Sequence, residues 1–341
     1  MKEKTNVAYF DALNIAAIFG VVLLHCNGIV HNYSNTSAWF QALAVEVAFY
    51  WPVPIFFMLS GSTLMGYRER YSTREFLKKR FARTVIPFVV WTCIAACLKE
   101  KTPMQIGLLN FLNLNAEISI ERTYWFFIPL FSVYLAMPVV SLLKEHRRIL
   151  WYMCIGAFIL NSVLPFAFNH MNIIWNQNLM QPTMGGYLLF TVLGYLISTT
   201  EISKKKRIAI YITAIPCLLI RYAAIAVMTV KTGEKYSLYY NYCGYFSVLL
   251  AVAVFVWFKY STVIAKLSVN EKAAKLMKTL SSCSFGVYLI HMLVYRVFAR
   301  VLPIPNDSWQ WRLVVPFGIY FTSVAIIFVM RKIPIVKKIV P

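Results

Sequence analysis

Charge is scarce in this chain, and negative charge is scarcest. Of 341 residues only 14% are charged, and 13 acidic side chains stand against 34 basic ones. A soluble domain carries about a quarter charged residues, so an ordinary water-facing shell is excluded. The seven cysteines form no CxxC pair, and none sits beside His and carboxylates at metal-ligand spacing. They read as small apolar packing residues. Phosphate-binding glycine loops, zinc signatures and nucleophile elbows are missing. So are internal repeats, low-complexity linkers and any soluble segment, which makes residues 1–341 one membrane domain. The apolar runs are continuous and do not alternate, which argues against the strands of a membrane barrel.

What the chain has is apolar length. Sixty per cent of its residues are hydrophobic and the mean hydropathy is +0.62. Ten runs approach or reach the length of a bilayer-crossing helix: about 8–30, 41–66, 84–98, 124–143, 149–168, 183–200, 207–230, 239–258, 280–300 and 311–331. The expected fold is therefore an all-α polytopic membrane protein of about ten transmembrane helices. The first run follows Lys2 and Lys4 as a signal peptide would, but no small-residue cleavage site follows it, and it reads as a retained helix.

The net charge of +21 invites a nucleic-acid reading, which its distribution opposes. Of the 34 Lys and Arg, 25 fall in the termini and every second loop, and only five, Lys99, Lys101, Arg122, Lys231 and Lys235, fall in the opposite loops. This asymmetry places both termini in the cytoplasm and makes membrane lipids, not nucleic acid, the partners of the charge. An even number of spans agrees with it.

Polar residues inside the spans carry the functional reading. His25 closes an apolar run that includes Val21, Val22, Leu23 and Leu24, where an ionisable group marks a site unless it bonds a neighbouring helix for packing. Asn14 precedes it by eleven residues, about three turns and roughly 16 Å, so the two share a face, and Asp11 joins that seam one turn earlier. In the second span Pro52 and Pro54 predict a bend near its middle, followed by Ser60-Gly61-Ser62, which allow close helix approach or offer donors to a ligand. Glu46, near the outer end of that span, orients His25 or its substrate, or else reaches interfacial water. Arg80 and Arg83 close an amphipathic lead-in to the third span, three residues apart, suited to phosphate or to lipid headgroups. Arg221 lies deep in the seventh span and requires a partner that the sequence does not name.

These segments resemble the membrane-bound acyltransferase 3 family, bacterial enzymes that O-acylate cell-surface glycans. The stretch Tyr9–Cys26 is similar to the family's first-helix signature, and Phe56-Phe57-Met58-Leu59-Ser60-Gly61 to its second-helix motif. Arg80-Phe81-Ala82-Arg83 fits its RxxR element. Trp125-Phe126-Phe127, Tyr134-Leu135 with Pro138, and Ser284–His291 are similar to later blocks. One departure stands out: the family's first-helix arginine is Asn14 here, which hydrogen-bonds but does not neutralise a phosphate.

The resemblance implies an acyl-coenzyme A donor (acetyl first, succinyl not distinguished), no tightly bound cofactor, and a saccharide or glycolipid acceptor, in the bacterial cytoplasmic membrane. It implies His25 as general base, with Asp11 and Glu46 as further catalytic candidates. Asn14, Ser60, Gly61, Arg80 and Arg83 are the candidates for holding the donor. His291 is a weaker candidate, packed or cofactor-contacting. A transporter or flippase of a glycan precursor is the competing class, since it also uses kinked helices and buried charges. It predicts two related halves, which the sequence does not display. The oligomeric state is not legible.

Overall fold

A segment with no water around it must satisfy its own backbone groups, and continuous apolar runs do so as helices. A computed structural model describes residues 8–98, 120–176, 178–179 and 184–341, and among these every regular element is helical. The helices are α1 (Ala8–Cys26), α2 (Ser37–Ala48), α3 (Pro52–Leu64), α4 (Thr73–Leu98), α5 (Phe127–Val140), α6 (Arg147–Phe158), α7 (Leu164–His170), α8 (Leu188–Ser198), α9 (Lys204–Thr232), α10 (Tyr245–Lys259), α11 (Thr262–Val269), α12 (Glu271–Val301), α13 (Trp309–Leu313) and α14 (Val315–Met330). A π-helical turn, Ile159–Val163, joins α6 to α7.

Eight of the ten expected spans appear as continuous segments long and apolar enough to cross a membrane. The other two differ. The run at 183–200 yields only α8, whose 11 residues rise about 16 Å, well short of a hydrocarbon core of about 30 Å. Nearly all of α8 is buried, so it is enclosed by protein. The run at 239–258 yields α10, followed by α11 at an angle of 42°. Lys2, Lys4, Lys99, Lys101 and Asn113 lie outside the described residues.

The prolines of the second span do something other than kink a helix. The chain leaves helix after Ala48, passes through Phe49, Tyr50 and Trp51, and starts α3 at Pro52. Pro52 and Pro54 therefore sit in a first turn, where a missing N–H costs nothing. The break that results leaves Tyr50 outside either helix, among polar residues described below.

Contacts divide the chain into two compact units, Met1–Ser62 with His146–Val324, and Thr63–Glu145 with Ala325–Pro341. In the first, α1 packs along α12, and α9 lies against α10 and α2. Gly61 and Gly194 let α3 and α8 cross in close contact: a Cβ on Gly61 would stand 1.6 Å from the Thr191 carbonyl oxygen, and one on Gly194 2.0 Å from that of Met58. In the second unit α4 packs on α5, with Phe88 against Phe127 at 4.7 Å. There Arg68 ties the loop before α4 to the end of α5, donating to Ser141 Oγ at 3.0 Å and the Pro138 carbonyl at 2.7 Å.

Candidate active site

The polar seam of α1 faces α12. Asn14 Nδ2 donates to the Ser281 carbonyl at 2.9 Å and to its hydroxyl at 3.0 Å. Near the other end of the seam the rings of His25 and His291 lie 5.1 Å apart between centroids, inclined by 37°. Ascending residue pairs along both helices mean that α1 and α12 run in the same direction. On α12 the residues Ser281, Ser284, Tyr288 and His291 recur at steps of three, four and three, one face of an α-helix. This face was legible as a pattern, but nothing in the sequence pairs it with α1.

His291 is 1% exposed. Its Nδ1 lies 2.7 Å from the Tyr288 carbonyl and 3.2 Å from that of Val287. Carbonyls only accept, so Nδ1 carries the proton and Nε2 keeps a lone pair, which is buried and without a hydrogen-bond partner. The Ser284 hydroxyl on the same face is also buried and unpartnered. A histidine fixed in one tautomer thus stands next to half-buried His25, so two imidazoles share one end of the seam.

Several sequence-derived candidates fall elsewhere. Asp11 is fourteen residues from His25 on one helix, about 21 Å along its axis, so the two do not act on one atom. Ser60 spends its hydroxyl on the Phe56 carbonyl at 2.8 Å, within its own helix. Gly61 sits inside α3, with its N–H in the helical ladder, and serves the crossing with α8; of the two uses open to it, close approach is the one realised. Arg80 and Arg83 belong to the second unit: Arg80 is half-buried with its guanidinium 5.9 Å from the Phe76 ring, and Arg83 is exposed.

Glu46 is buried, and its company is a second polar group of residues. Asn27, two residues past His25, donates from Nδ2 to the Ala42 carbonyl at 2.8 Å, pinning the end of α1 to α2. Its amide also faces the Glu46 carboxylate, which further interacts with Lys235 and Arg221. Glu46 is thus among the partners that the sequence left unnamed for Arg221. Arg221 is 1% exposed, stacks over the Tyr50 ring at 4.2 Å and donates from Nη2 to the Tyr239 carbonyl at 2.8 Å. In the loop after α9, Lys235 sits 4.0 Å over the Tyr240 ring with Nζ 2.7 Å from His31 Nδ1. Burial holds the Lys235 amine below its ordinary value, with Glu46 opposing, and burial together with Lys235 does the same to His31.

Comparison with known proteins adds the class of chemistry. The family described as an acyltransferase domain matches residues 7–331. No curated protein and no solved structure matches the chain. A helical membrane scaffold, a polar seam between α1 and α12, and a family match along almost its whole length place this chain in the membrane-bound acyltransferase 3 family.

Proposed function

We propose that this acyltransferase moves an acyl group, acetyl in the first instance, from cytoplasmic acyl-coenzyme A to a hydroxyl of an extracytoplasmic or lipid-linked saccharide, with His25 as general base. The observation that carries the proposal is the pairing of His25 with His291 on parallel helices. Histidine titrates near neutrality, and a positioned base contributes about 10²–10⁴-fold.

In the proposed reaction the acceptor hydroxyl gives its proton to His25 as its oxygen attacks the thioester carbonyl. The C–S bond then breaks, and the imidazolium returns the proton to the departing coenzyme A sulfur. His291 acts as a positioning residue, presenting a fixed lone pair beside the His25 ring. Arg80 and Arg83 supply guanidinium groups suited to the donor's phosphates. Asn14 is already engaged with Ser281, so the work of the family's arginine passes to other cations in this chain.

The test replaces His25 with alanine in the full chain and measures transfer of labelled acetyl from acetyl-coenzyme A to a membrane glycan fraction, alongside thermal unfolding in detergent. The expected result is a loss of at least ~10² in rate with an unchanged unfolding midpoint. Activity within about threefold of wild type removes His25 from the base role.

A further inference from the structure

Burying a guanidinium is costly unless its donors are paired, and in Arg221 they are not. Only Nη2 has a carbonyl, while Nε and Nη1 are buried without hydrogen-bond partners. The Tyr240 hydroxyl near this residue, and the side-chain oxygen of Asn27, which bonds Glu46, are also buried and without hydrogen-bond partners. Glu46, 5% exposed, contributes a carboxylate to the same cluster. Tyr50 stacks on Tyr242 at 4.3 Å with rings 9° from parallel, and Tyr240 meets Tyr50 edge-on at 6.0 Å. A purely structural ion pair would close on itself. This cluster leaves buried donors and acceptors unsatisfied.

The segment from Tyr239 to Gly244 has two working sides. Tyr240 and Tyr242 turn toward Glu46 and Arg221, whereas Tyr239 and Asn241 line a cavity of about 180 Å³ with Asn161, Asn169 and Tyr245. The segment is fastened by Ser162, on the π-helical turn, donating to the Cys243 carbonyl at 2.6 Å, and by Ser247 donating to the Asn241 carbonyl at 2.7 Å. A π-turn inside a helix is uncommon and is frequently found at functional sites.

We infer that Glu46, Arg221, Tyr50, Tyr240 and Tyr242 form the recognition site for the acceptor, and that its ligand is a saccharide bound through neighbouring hydroxyls. A hydroxyl oxygen accepts from Arg221 Nε or Nη1 while a hydroxyl proton goes to Glu46, so a diol satisfies both charges at once. A phosphate satisfies the arginine but meets the carboxylate. Asn27, which bonds Glu46, lies just past the C-terminal end of α1, two residues after His25 in the chain. The inference rests on the proposed transfer to a hydroxyl acceptor, but binding tests it separately from transfer.

The full chain in lipid nanodiscs is titrated calorimetrically with methyl glucoside, methyl galactoside, N-acetylglucosamine, inorganic phosphate and coenzyme A. Wild type should bind at least one of the three sugars, and Glu46→Gln and Arg221→Met should each weaken that binding at least about tenfold while leaving coenzyme A binding unchanged. Tyr240→Phe guards against misfolding: it removes a hydroxyl without a partner in the fold, so it should weaken the sugar severalfold and leave the unfolding midpoint in place or higher. The inference is overturned if no sugar binds wild type, if Glu46→Gln and Tyr240→Phe bind as wild type does, or if phosphate alone binds. Sugar binding that obeys these expectations without any acyl transfer by wild type would sink the proposed reaction and leave the site standing.

Discussion

Single residues decide where this protein holds charge, and a loop histidine shows the consequence. His31 neighbours Lys235, whose Nζ lies 2.7 Å from its Nδ1. The ammonium donates and neutral imidazole accepts, so protonating His31 both adds a like charge and removes the acceptor. Burial and Lys235 hold its folded value below the ordinary 6.5, whereas the unfolded chain titrates near 6.5. Below that pH the unfolded state binds more protons, so stability falls as pH drops through 6.5, and above it the group costs nothing. His31→Gln should therefore flatten the acid side of a plot of unfolding midpoint against pH. A His31→Gln profile that parallels wild type between pH ~7 and ~5 would assign the acid sensitivity to other groups. The same residue-scale logic applies to Asn14, which looks like a lost arginine in the sequence and is in fact a donor to Ser281.

Among the elements, the crossing of α3 and α8 is the tightest constraint in the first unit. Both helices bring a glycine to the contact, and Ser62 reinforces it by donating to the Gly194 carbonyl at 2.9 Å. A methyl group at either glycine would overlap a backbone carbonyl oxygen, and backbone cannot rotate away as a side chain can. Gly61→Ala and Gly194→Ala should each destabilise by about 1–3 kcal/mol or more. The double variant should cost no more than about the sum, since both force the same two helices apart. Thermal unfolding in detergent measures this, and an unchanged midpoint in Gly61→Ala would mean that the helices already stand farther apart.

For the whole molecule the question is how many times the chain crosses the bilayer. Asn14 pairs with Ser281 and His25 with His291, so α1 and α12 run the same way. With the other spans counted once each, that holds only if α8 and the bent pair α10–α11 both cross or neither does. The charges favour both, because crossing by α8 returns the cluster Lys204–Arg207 to the side that holds most other cations. Single cysteines near Asn35 and Asn306 should react with an impermeant reagent from outside, and cysteines at 204–207 should not. Outside labelling at 204–207 would mean that α8 fails to cross, and would reverse the assigned side of α9.

The sequence alone determined the class of molecule: scarce charge, apolar runs and the placement of basic residues require a helical membrane protein, because a lipid environment leaves few other solutions. It also marked His25, Glu46 and Arg221 as costly in apolar surroundings, for the same reason. Tertiary structure decided what those residues face. Eleven-residue spacing puts Asn14 and His25 on one face, but only the packing of α12 supplies Ser281 and His291, some 270 residues away. Periodicity placed Arg221 inside a helix; the unwound turn at Phe49–Trp51 brought Tyr50 to it, the loop after α9 brought Tyr239, and the packing of α2 on α9 brought Glu46. Motif likeness singled out Gly61 for a ligand, yet the approach of α8 uses it for packing, because glycine serves close contact of either kind and only the neighbour distinguishes them. Local pattern follows from the backbone's own geometry. Pairing across long separations depends on which surfaces are buried together, and one chain read in order carries no direct signal of that.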